Sequence, residues 1–187
     1  MSEINYGPLA GLIGTWKGDK GVDIAPEPSG TENNPYYETI TFEAIGDVEN
    51  AETQTLAILF YTQIASRKSN DEVFHHQSGY WTWDAETGVI TQSFSIPRGV
   101  SVVASGRVLD SDDIPAHVVK IEVSAEESGF DGGIAQSTFM QKNARTNTFS
   151  QVLALDGDTL SYEQTTMLDI YHKTFEHTDN NSLTRQK

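Results

Sequence analysis

The stretch "HVVKIEVS" (residues 117–124) decides the fold. His117, Val119, Ile121 and Val123 fall on one side and Val118, Lys120, Glu122 and Ser124 on the other, the period of two that a half-buried β-strand requires. The same period runs through "YYETITFEA" (36–44), with Ile40, Phe42 and Ala44 on one face, and through "LAILFYTQIA" (56–65), with Leu56, Ile58, Phe60 and Ile64.

Further strand-like runs are "VFHHQSGYWTW", "GVITQSFSI", "GVSVVASGRV", "IAQSTFMQK", "TNTFSQVLAL" and "TLSYEQTTMLDIY", separated by turn chemistry such as "DAETG", "PRG", "DSDDIP" and "DGD". With the opening "GTWKGDKG" (14–21) included, the count is about ten strands, the pattern of an all-β sandwich or barrel. Only "PLAGLIG" (8–14) reads as a helical turn. "DIAPEPSGTENNPYY" (23–37) reads as a long loop, "GDVENAETQ" (46–54) as a solvated acidic connection and "TDNNSLTRQK" (178–187) as a polar tail.

Both faces of "SYEQTTMLDIY" mix polar with apolar residues. A sandwich core wants one clean face, whereas a barrel enclosing a ligand tolerates polar inward positions, so the pattern favours a single antiparallel up-and-down barrel. The length of 187 residues suits one domain over 1–187.

Twelve Lys and Arg stand against 27 Asp and Glu, a net charge of −15, which disfavours nucleic acid or an anionic membrane surface as partner. There is no cysteine, so disulfides, thiolate metal sites and cysteine nucleophiles are excluded, and a reducing cytoplasmic setting is expected. No run approaches the roughly 20 apolar residues of a membrane-spanning helix.

Catalytic signatures are thin, with no nucleophile elbow, zincin helix, P-loop or dinucleotide fingerprint. The adjacent His75 and His76 point to opposite faces of a strand, so at most one of them lines a cavity. His172 and His177 lack a nearby third ligand in sequence, and the pattern by itself leaves both readable as surface or hydrogen-bonding histidines. Gly14, Gly18 and Gly21 around Trp16 mark a first strand that bends tightly while an aromatic plugs one end of the barrel.

These blocks carry a resemblance. "LIGTWKGDKG" (12–21) is similar to the glycine–tryptophan signature that opens the nitrobindin family, the haem-binding β-barrels also found in THAP4-type proteins. "YYETITF" (36–42), "HHQSGYW" (75–81), "IPRGVSVV" (96–103) and "LSYEQTTML…FEHT" (160–178) resemble later blocks of the family in the same order. The resemblance implies a lipocalin- or fatty-acid-binding-protein-like barrel holding ferric haem b.

The family's closing segment has a Met ten residues before the histidine that ligates iron. Met167 and His177 match that spacing, so His177 inherits the ligand role. By alignment His75 falls on the distal side, with Phe74 beside it and Ile96 across from it. Arg98 stands where smaller family residues usually sit; it is a candidate for a haem propionate or an exposed turn residue. The family also implies nitric oxide binding and, as an activity, isomerisation of peroxynitrite to nitrate, and it leaves a homodimer open. A module for a fatty-acid-like or other small apolar ligand is the alternative, since the same architecture serves both.

Overall fold

The structure, a computed structural model, describes residues 4–128 and 132–187. Among the described residues eleven strands form: β1 Gly14–Glu27, β2 Gly30–Asn50, β3 Gln54–Arg67, β4 Val73–Asp84, β5 Ile90–Ile96, β6 Val100–Val108, β7 Val118–Glu126, β8 Gly133–Gln136, β9 Ala144–Asp156, β10 Thr159–Ile170 and β11 Lys173–Arg185. All pairings are antiparallel. β5 pairs with β6 and β1 with β11, so ten strands close into a barrel, with the short β8 laid along β6 as an eleventh. Closure pairs both sides of most of the wall among the described residues, which limits the open sheet edge to short stretches. The all-β barrel read from the alternation is therefore the fold.

A 3₁₀ turn at Gly7–Leu12 matches the predicted helical turn and plugs one end with Leu9 and Leu12, both fully buried. Trp16 packs in the same apolar layer and donates its indole N–H to the Leu12 carbonyl at 2.7 Å. The predicted bend in β1 is real: its register against both neighbours shifts across Gly18 and Gly21. A side chain at Gly21 would overlap the Tyr36 ring, so the glycine lets that aromatic lie flat on the backbone.

The connection read at 46–54 shrinks to a turn at 51–53, because β2 and β3 stay paired out to Asn50 and Gln54, and three further sequence-based assignments change. Residues 23–37 are not a loop, because the β1–β2 hairpin continues through them with Ala25 opposite Glu32 and Pro26 opposite Thr31. β3 joins β2 only from Tyr36 onward, so Pro35 lies where the strand has one neighbour, a place that tolerates proline and turn-forming residues. "IAQSTFMQK" splits into β8 and a short helix, α1 Thr138–Asn143, whose first turn is capped by the Ser137 hydroxyl accepting from the Met140 N–H.

The third change matters most. "TLSYEQTTMLDIY" is the penultimate strand, and the supposed polar tail belongs to β11, the strand that closes the barrel. Its inward positions include Asp179 and Asn181, which hides the alternation from any hydrophobicity pattern. Pairing of first and last strands, expected from sequence, holds with β11 in the closing place.

Gly79 on β4 shows how tightly the wall is wound. A Cβ there would overlap the Ser93 carbonyl oxygen and come within 2.6 Å of the Phe94 Cα, both backbone atoms of β5. Gly79→Ala is expected to destabilise the protein by about 2–4 kcal/mol, read as a lower urea midpoint; an unchanged midpoint would show that β5 can shift aside.

Among the described residues no helix is long and apolar enough to cross a membrane.

Candidate functional site

Strand register stacks the interior in layers. Trp16 pairs with Arg185, whereas Asp23 pairs with Asp179, so the apolar plug and the Asp23 layer are separated by seven residues of β1, roughly 20 Å. Between them lies a belt of buried amides and phenols. Gln77 and Gln92 both donate to the Tyr61 hydroxyl, at 2.6 and 3.0 Å. Gln63 donates to Glu38 at 2.6 Å, Asn181 donates to it at 3.0 Å, and Tyr162 donates at 3.1 Å. The Tyr36 and Tyr162 hydroxyls are hydrogen-bonded to each other at 2.7 Å. This belt explains the mixed parity of the strand sequences.

Glu38 is buried to 3% exposure. Burial holds its carboxyl above the ordinary value of 4.5, a rise that the bonds from Gln63, Asn181 and Tyr162 only partly offset. The folded protein thus keeps this proton to higher pH than the unfolded chain. The stability it contributes is complete below the unfolded pKa and is lost as pH rises through the raised folded value. Glu38→Gln should remove that decline, so the variant gains on the wild type as urea midpoints are followed upward from about pH 4.5; parallel curves would exclude Glu38 as the source.

Beyond the belt, at the mouth, His75 and His177 lie close enough for the charge of His177 to act on His75. His177 lies within β11, not on a turn after the last strand, and faces inward opposite Thr166 of β10. Its Nε2 lies 2.6 Å from Asp23 Oδ1 and 3.6 Å from Asp179 Oδ2. Burial alone would lower the His177 pKa; the hydrogen bond to Asp23 and the charges of Asp179 and Asp23 outweigh it and raise the value. Asp179 is pushed up to about 7 by burial and by the neighbouring carboxylates, against the pull of His177. Asp23 is pinned through its other oxygen, which accepts from Asn34 at 3.0 Å.

His75 faces the interior from β4 and is hydrogen-bonded to Gln77 at 3.2 Å, whereas His76 is exposed. Burial lowers the His75 pKa, and Arg98 and His177 add to the effect, so the ring stays neutral near physiological pH. Phe74 should point outward by simple alternation. A bulge between Ser66–Val73 and Ala65–His75 turns its ring against Tyr36 instead, centroids 5.7 Å apart. Arg98, in the β5–β6 turn, donates to the Phe74 carbonyl at 3.3 Å, and Ile96 packs against the core from the end of β5.

Met167 stands apart. It pairs with Glu176 and shares the face of that exposed side chain, opposite to the face of His177. His172 occupies the β10–β11 turn with Tyr171, both at positive φ (61° and 52°) and both exposed.

The family model for the THAP4-like haem-binding β-barrel domain matches residues 5–185. The chain belongs to this family. The crystal structure of Rv2717c from M. tuberculosis is similar over 96% of this chain and 95% of that one, with a TM-score of 0.72 and 21% identity. At that identity the likeness speaks for the barrel alone. None of the curated proteins compared with the chain matches it by sequence.

Sequence reasoning missed Asp23, which was assigned to a loop, and the Glu38 cluster, whose members come from four different strands. The period-two series His177, Asp179, Asn181 was the available signal for an inward polar face.

Proposed function

We propose that this barrel binds ferric haem b at the mouth, with His177 as the iron ligand and His75, Phe74 and Ile96 on the opposite side. The single observation that carries the reading is the convergence of an inward His177 and an inward, neutral His75 at one end of a barrel from a haem-binding family.

The residues fit the group in type and placement. An imidazole is an ordinary haem-iron ligand, and Phe74 and Tyr36 supply aromatic surface. Their one demand is that Asp23 yield Nε2, while Asn34 retains its second oxygen. Bound haem would supply an iron atom able to take a diatomic or reactive nitrogen ligand. His75 would offer that ligand an uncharged imidazole oriented by Gln77, and Arg98 would bring positive charge to the rim. Nitric oxide binding, and beyond it isomerisation of peroxynitrite to nitrate, is the activity this arrangement serves. A single domain working in the cytoplasm agrees with the cysteine-free composition.

The fatty-acid alternative meets the belt of Gln63, Gln77, Gln92 and Glu38, a polar lining in place of the continuous apolar wall that an acyl chain prefers. Haemin titration with oleate competition separates the two readings. A sharp Soret band saturating at one equivalent and resisting oleate is the expected result. Tight oleate binding with only a broad haemin spectrum would replace haem with the lipid reading.

A further inference from the structure

The inward face at the mouth contains an electrostatic problem that haem does not explain. Asp23 on β1 and Asp179 on β11 are cross-strand partners, so the sheet places two carboxylates side by side on one face, an unfavourable pairing of like charges. Their side chains are only 5% and 19% exposed. One imidazole, His177, is shared between them, and it lies within hydrogen-bonding distance of Asp23 alone. Among the described residues the Asp179 side chain has no hydrogen-bond partner, and its contact with His177 is 3.6 Å long. Arg98, whose charge acts on His75 and His177, donates to the Phe74 carbonyl and to neither carboxylate. A single imidazole pairs two buried carboxylates only in part, and a proton or a cation must make up the rest.

We propose that Asp23, His177 and Asp179 form a binding site for one divalent cation of the zinc, manganese or iron(II) class. One donor atom from each of Asp23, His177 and Asp179 lies within 4.8 Å of the other two, close enough to converge on one ion after a small adjustment. One nitrogen and two oxygen donors with no sulfur suit a borderline cation, and three protein ligands leave coordination positions for water or a small substrate. Asn34 supplies independent support. It is itself buried and holds Oδ2 of Asp23, leaving Oδ1 directed at the site, the way an outer partner fixes a metal-binding carboxylate.

This inference goes beyond the haem reading and does not rest on it. Both occupants need Nε2 of His177, so they compete for the mouth, but only the cation needs Asp179.

Cobalt(II) titration of the haem-free protein, followed by visible d–d absorption and displaced by zinc, tests the site. One equivalent should bind, Asp179→Asn should weaken binding about tenfold or more, and haemin should still give its Soret band with that variant. Asp23→Asn serves as a second ligand variant, and circular dichroism confirms that each remains folded. Cobalt affinity unchanged in both folded variants, or no binding to the wild type below about 1 mM, would overturn the proposal. Several weak equivalents indifferent to Asp179 would assign the ion to the acidic surface and overturn it equally. Loss of haemin binding alone, with Asp179-dependent cobalt binding intact, would remove the haem reading and leave the cation site standing.

Discussion

Replacing His177 by alanine is expected to eliminate the sharp Soret band of the haemin-titrated protein, leaving at most a broad, nonspecific spectrum. No other histidine among the described residues combines an inward position on β11 with a carboxylate at its ring nitrogen; His76, His117 and His172 are exposed, and His75 is bonded to an amide. The substitution also deprives the buried Asp23 carboxylate of its imidazole, and breaking such a pair costs stability. A lost band therefore counts only with a folded variant, which circular dichroism and a cooperative melt establish. His172→Ala should leave the spectrum nearly unchanged, and His75→Leu should alter the response to added nitric oxide while haem stays bound. An unaltered spectrum for His177→Ala would move the ligand assignment elsewhere, with His172 the next residue to test.

Deleting residues 173–187 is expected to unfold the whole domain. β11 is hydrogen-bonded to β10 along its length and to β1, so its removal opens the barrel and exposes two edges at once. Leu183, fully buried, would leave the apolar layer, a loss of about 2 kcal/mol by itself, and Asn181 would leave Glu38 with fewer partners. Against a typical total of about 5–15 kcal/mol, these losses and the broken ladders exceed what the remaining strands can supply. Circular dichroism should show no cooperative thermal transition. A truncated chain that melts cooperatively would mean that β1 and β10 can pair without β11.

The legible parts of the sequence are those where one face of a strand is apolar and the other polar. Ile121, Val123 and Ala125 of β7 and Ile40 and Phe42 of β2 are buried as the alternation demands. The glycines around Trp16 announced the bend in β1. His75 and His177 were reached through resemblance to a family, not through any local pattern; Asp179 stands two positions from His177, but one acidic neighbour does not mark out a ligand. Phe74 entered the same way; its inward turn depends on a bulge that its neighbours do not advertise.

The sequence by itself determined an all-β barrel, an acidic cysteine-free chain and membership of a haem-binding family, because alternation, composition and ordered motifs are properties of short stretches. Only the tertiary structure decided which strand closes the barrel and what surrounds His177. Asp23 and His177 are 154 positions apart and become partners because β1 pairs with β11 when the sheet closes. The same closure turns Asp179 and Asn181 from what looked like a solvated tail into the inner wall. Inward polar residues break the hydrophobic periodicity by which strands are recognised, so the segment most involved in the chemistry is the one that local reasoning sees least.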